Sequence, residues 1–155
     1  MTRKEIIIKA DAVREKALQY FIDHETGLVF SKISREKFRV LDDSIFSDAR
    51  QIAPSLPSGC TMAEFYAFEN ASMATGAFMN SEILRYRRTG EPGALAQAKV
   101  FFHALWRIFC LGKASASGFF TKPYGRRLSP ETSTDQVLYA CSRSEEHTSE
   151  LQSRS

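Results

Sequence analysis

Two acidic side chains have surroundings in the sequence that are unusual for a carboxylate. Glu69, followed by Asn70, lies in an apolar, small-residue stretch that predicts a buried helix, and Asp135 lies where a later helix is predicted to begin. A buried carboxylate needs a partner or a wet cavity, because desolvating an unpaired charge is costly. The two acids are therefore candidates for proton transfer. The ordinary alternatives are a loop contact for Glu69 and a helix cap for Asp135.

A segment between these acids combines an aromatic ring with three cations. It reads Lys122-Pro123-Tyr124-Gly125-Arg126-Arg127. Such a segment suits a sugar ring, a carboxylate or a phosphate, since an aromatic face stacks and cations pair with anions. A solvated surface loop is an equally good interpretation.

The sequence offers few other reactive groups. Cys60, Cys110 and Cys141 are far apart and form no CxxC pair, so we expect reduced thiols and no metal or other cofactor. We expect His103 on a helix surface, and His24 in a loop is a weak site candidate. The sequence contains no P-loop, no GxGxxG and no Ser-His-Asp order.

Composition narrows the class of protein. A hydrophobic fraction of 43% with 12 phenylalanines predicts a globular chain with a core. The net charge of +3 is too small to indicate a nucleic-acid partner. No apolar run approaches the length of a membrane span, and the first twenty residues do not resemble a signal peptide. We therefore expect no membrane partner and, if Met1 is the true start, a cytoplasmic protein.

Hydrophobic periodicity predicts four helices, at residues 3–22, 61–88 and 94–111 and after residue 130. Gly90 and Pro92 suit a tight turn between the second and third helices. Residues 28–30 and 38–41 are either short strands or apolar anchors in a long loop. The spacing of Thr132 and Asp135 predicts a capping box for the fourth helix.

Long loops alternate with the short turn at residues 89–93 in this predicted order. Paired antiparallel helices with short connections on one side and long ones on the other are typical of helical hairpins in a ring or stack. The sequence therefore predicts an all-α fold.

Three segments of the second half resemble the six-hairpin glycosidase-like family. They are RYRRTGEP at 85–92, GFFTKPYG at 118–125 and STDQ at 133–136. The similarity covers about residues 69–141, whereas residues 1–60 match no part of the pattern. The resemblance implies an α/α toroid with a central sugar-binding cleft, of which this chain holds a truncated N-terminal part.

The resemblance also implies a carbohydrate-active protein, a glycoside hydrolase or polysaccharide lyase acting on an oligosaccharide. Glycoside cleavage needs two carboxyl groups flanking the scissile bond. The expected catalytic residues are Asp135, as base or nucleophile, and Glu69, as acid. The alternative is a non-catalytic helical module that binds a glycan or a protein. The expected substrate-binding residues are Tyr124, Lys122, Arg126, Asn70 and Gln136.

The end of the sequence resembles the in-frame translation of a sequencing adapter. The segment at 143–155 reads RSEEHTSELQSRS. We therefore predict a helical domain at residues 1–142 and an artefactual tail at 143–155, which we exclude from fold reasoning. Sequencing the genomic locus should reveal a different continuation after Ser142. Genomic DNA that encodes SEEHTSELQS at this place would contradict the prediction.

Overall fold

The computed structural model describes residues 2–46, 59–113 and 119–141. Of these residues, 62% are helical and 5% are in strands, which confirms the all-α fold class. The adapter-like tail lies outside the described residues. The elements are α1 (Arg3–Tyr20), a 3-10 turn (Asp43–Ile45), α2 (Met62–Phe68), α3 (Ala71–Thr89), α4 (Pro92–Lys113), β1 (Pro123–Tyr124), β2 (Arg127–Leu128) and α5 (Thr134–Cys141).

The single helix predicted at residues 61–88 is wrong, because the chain breaks into α2 and α3 at Glu69 and Asn70. Ser31 lies in the first loop, which joins α1 to α2. It hydrogen-bonds to two backbone groups that would have helical partners if the helix were continuous. Its backbone N–H donates to the carbonyl of Ala67 at 2.6 Å, and its hydroxyl accepts from the N–H of Asn70 at 2.8 Å. The helical ladder is thereby interrupted.

The predicted tight turn between α3 and α4 is confirmed. Gly90 ends α3 with a φ of 69°, a left-handed conformation that glycine adopts at little cost, and α4 begins at Pro92. Arg85 Nε donates to Glu91 Oε2 at 2.6 Å, and the N–H of Glu91 donates to the hydroxyl of Thr89 at 3.2 Å. The RYRRTGEP segment therefore forms the end of α3 and the tight turn into α4.

The core forms where α3, α4 and the first loop meet. Leu28 and Val29 are buried at 0% and 2% exposure, so they are apolar anchors, and Val29 forms only an isolated bridge with Ile22. Thr75 of α3 holds the loop, because its hydroxyl accepts from the N–H of Val29 at 2.9 Å. Large core side chains from the helices and the last loop include Met79, Ile83, Phe101, Leu105, Ile108 and Phe120.

A β-hairpin and α5 complete the described chain. Pro123 pairs with Leu128, and Gly125 has a φ of 59° at the start of the two-residue turn. The predicted start of the last helix is shifted, because α5 begins at Thr134. The predicted capping box from Thr132 to Asp135 is wrong, since Ser133 is the residue that precedes α5 and Asp135 lies two positions after it, whereas a capping box needs three.

Helix α1 is attached to α3 through ion pairs. Arg14 donates to both carboxylate oxygens of Glu82, at 2.6 and 2.7 Å, and Glu82 is 1% exposed. Arg85 pairs with Asp11 one turn away. Apolar packing is concentrated at the C-terminal end of α1, where Ala17 is buried and the next residue, Leu18, packs against the core.

The Arg14–Glu82 pair gives a stability prediction. Arg14→Met leaves a buried carboxylate without its counter-charge, and we expect the free energy of unfolding to fall by about 3–5 kcal/mol. The double variant Arg14→Met/Glu82→Leu removes both charges and should restore most of that loss. Urea denaturation of wild type, both single variants and the double variant measures this coupling. Losses that simply add would show that the two side chains do not interact.

Candidate functional site

The turn between α2 and α3 meets the first turn of α5. Gln136 donates from Nε2 to the backbone carbonyl of Glu69 at 2.5 Å. Gln136 is 1% exposed, so this amide acts as an internal tie and presents little surface to a ligand. The contact joins residues 67 positions apart in the sequence. It brings the segments that contain Glu69 and Asp135 together at one edge of the molecule.

Tyr124 lies in the core beside this contact. It is 2% exposed, and its ring stacks on Phe65 with centroids 5.8 Å apart. Burial raises the pKa of Tyr124 to about 12, and the nearby Glu69 carboxylate adds to the shift. This burial differs from the exposed stacking surface that the sequence predicts, because Phe65 already covers the ring.

Asp135 is exposed in the first turn of α5. The neighbouring Ser133 hydroxyl lowers the pKa of this carboxyl below its usual range, and the backbone N–H groups of Gln136 and Asp135 itself add to the effect. Asp135 is therefore an anion near neutral pH, as either a base or a cap requires.

The three cations of the hairpin segment have different partners. Arg127 binds both carboxylate oxygens of Glu64 at 2.7 and 2.6 Å, which fastens the hairpin to α2. Arg126 pairs with Glu25 of the first loop. Lys122 forms no ion pair within the described residues, but it lies close enough to Asp135 to help lower the pKa of that carboxyl. Lys122 is thus the cation of this segment that is left for a ligand.

Four residues form what we call the polar edge: Glu69, Asn70, Lys122 and Asp135. The first three are half-buried and the fourth is exposed. Asn70 precedes α3 without capping it through its side chain, so its amide remains for other contacts. The edge therefore presents two carboxyl groups, one amide and one ammonium group.

Sequence reasoning missed the residues that organise this region. Glu64 pairs with Arg127, and together with burial it raises the pKa of the Cys60 thiol to about 11, with burial the larger cause. In the first loop, Glu25 pairs with Arg126, and Ser31 accepts a hydrogen bond from the N–H of Asn70. Only Glu64 had a local signal, because Thr61 and Glu64 have the spacing of a capping box and form one.

Two further properties bear on ligands and location. Across residues 2–46, 59–113 and 119–141, no group of three His, Cys, Asp or Glu side chains is placed to hold a metal ion. Helix α4 is long and apolar enough to cross a membrane, with 33% of its most apolar window buried. Core helices pass the same test, so this is weak evidence for a membrane location.

Comparison with known protein families, curated proteins and solved structures finds no match for this chain. The resemblance to the six-hairpin glycosidase-like family therefore stays a prediction.

The lowered pKa of Asp135 predicts a pH-dependent contribution to stability. A carboxyl with a depressed pKa in the folded state stabilises the fold above its unfolded pKa of about 3.9, and this contribution disappears as the pH falls through the folded value. We expect the difference in free energy of unfolding between wild type and Asp135→Asn to be constant from pH 5 to 7 and to shrink below about pH 4. Glu131→Gln controls for loss of a neighbouring carboxyl. A difference that does not vary with pH would contradict this assignment.

Proposed function

We propose that the polar edge binds a glycan and that the chain is part of a carbohydrate-active, glycoside hydrolase-like protein. The observation that carries the proposal is the hydrogen bond from Gln136 to the backbone of Glu69, because it brings two carboxyl-bearing segments together. Carboxylates and amides bind sugar hydroxyls through directed hydrogen bonds.

One group of the edge, the ammonium group of Lys122, favours an acidic sugar. Lys122 forms no ion pair among the described residues, whereas Arg126 and Arg127 are paired. A carboxyl group on the ligand can pair with this ammonium group. Asp135, held ionised, has the charge that a base or nucleophile requires, and Glu69 is the proposed proton donor.

Tyr124 and Gln136 have supporting roles in this proposal. Both are buried. Gln136 holds the backbone of Glu69 through its hydrogen bond, and Tyr124 packs on Phe65 of α2, the helix before the turn. Their predicted roles as ligand-binding groups are replaced by positioning, since a fixed backbone keeps a carboxylate in one place. The ligand-binding groups are then Lys122 and Asn70.

The proposed α/α toroid is supported by apolar surface that the described chain leaves exposed. Ile8, Trp106 and Leu138 are 58%, 52% and 57% exposed, on three different helices. Stacked helical hairpins bury exposed apolar side chains of this kind against their neighbours.

The same apolar surface favours a second candidate, a non-catalytic helical module that binds protein. Trp106 stacks between Phe102 and Phe109, with ring centroids 6.3 and 5.3 Å away. An exposed tryptophan supported by other rings is typical of protein-binding surfaces.

Titration calorimetry with defined oligosaccharides tests the glycan proposal. We expect the full chain to bind tetragalacturonate more tightly than neutral cellotetraose. Lys122→Ala should weaken tetragalacturonate binding about tenfold or more, because a charge-assisted hydrogen bond is lost. Lys113→Ala, at the exposed end of α4, is the matched control and should bind as wild type does.

Each outcome separates the alternatives. Binding of neither oligosaccharide, by a chain whose circular dichroism shows a folded helix content, would exclude this glycan site and favour the protein-binding module. Equal effects of Lys122→Ala and Lys113→Ala would show that any binding is non-specific attraction to a cationic chain.

A further inference from the structure

An open groove of about 820 Å³ lies between α1 and α3, away from the polar edge. Its walls are mostly apolar, although it is open to solvent. Ile6, Ile7 and Val13 of α1 are 50%, 52% and 66% exposed, and Leu84 of α3 is 42% exposed. Phe78 completes the apolar lining.

The groove stays open because ion pairs set the spacing of its walls. The pairs Arg14–Glu82 and Asp11–Arg85 show that α1 runs antiparallel to α3, since rising numbers on one helix meet falling numbers on the other. The apolar side chains of both walls remain exposed. The volume of about 820 Å³ leaves room between them for several side chains of another helix, as helix-in-groove complexes require.

The charges of the groove are concentrated at one end. Along its length, the charges of Arg14 and Arg85 are matched by Glu82 and Asp11. Arg3, at the start of α1, and Arg88, at the end of α3, also line it, and both are exposed without a carboxylate partner in the described chain.

We propose that this groove binds an amphipathic helix of a partner protein, with acidic residues at the end that faces Arg3 and Arg88. The apolar face of that helix would cover the isoleucines, and its carboxylates would pair with the two arginines. This inference does not depend on the glycan proposal, because the groove and the polar edge have no residue in common.

Charge argues against a second copy of this chain as the occupant. Helix α4 exposes Val100, Trp106 and Leu111. It carries three basic residues, two lysines and one arginine, and no carboxylate. Helix α1 carries five cations against three carboxylates. Either helix would place like charges against the basic end of the groove.

Two synthetic helical peptides provide the probe. Both are 18-residue peptides with leucines at i, i+3, i+4 and i+7 spacing; one has three glutamates in its first turn and the other has three lysines there. Fluorescence anisotropy at low salt measures their binding to the full chain. We expect the glutamate peptide to bind about tenfold or more tightly than the lysine peptide.

Charge reversal then tests the assigned end. Arg3→Glu/Arg88→Glu should reverse the preference, so that the lysine peptide binds more tightly. Lys9→Glu/Lys113→Glu changes two exposed cations outside the groove and should keep the wild-type preference. All substituted positions are exposed, and circular dichroism checks that each variant retains its helix content.

Three results would overturn the proposal. The first is equal affinity for both peptides, and the second is the same loss of preference in the groove variant and the control variant. The third is a dimer, detected by light scattering, that the glutamate peptide does not dissociate, because a second copy would then occupy the groove.

Discussion

The burial of α3 is the constraint on which the rest of the described structure depends. A buried helix must satisfy the polar groups on its sides, since an unpaired donor or charge in the interior is costly. Thr75 meets this requirement by accepting from the N–H of Val29, which fixes the first loop. Glu82 meets it through Arg14, which fixes α1. The positions of two separate segments therefore follow from two polar side chains of one helix.

The polar edge exists because the α2–α3 helix cannot continue. Ser31 takes the hydrogen bonds at Ala67 and Asn70, and the chain turns at Glu69. The turn exposes a carbonyl that no longer has a helical partner, and Gln136 of α5 donates to it. A break in regular structure thus provides both the attachment of α5 and the exposure of a carboxylate, which a continuous buried helix would have hidden.

The sequence predicts those features of this fold whose cause lies within a few residues. Gly90 and Pro92 act within one turn, so the α3–α4 connection was readable from the sequence. The helix break was not, because its cause, Ser31, lies 39 residues from Asn70. Tyr124 was predicted to be exposed because a loop has no hydrophobic periodicity that reports its burial. Its position after a proline and before a turn glycine is a hairpin signal that could have corrected this.

The two proposed binding surfaces lie at opposite ends of α3. The polar edge adjoins Ala71, and the groove extends from Phe78 to Thr89. At about 1.5 Å per residue, the near end of the groove lies roughly 10 Å from Ala71 along the helix and its far end roughly 27 Å away. Substitutions at sites this far apart, with no shared partner, usually have additive effects on stability. Ligands at the two ends have no direct contact, so coupling between them would require α3 itself to move. Its anchoring by Thr75 and Glu82 opposes such a movement, and we therefore infer that the two surfaces act independently.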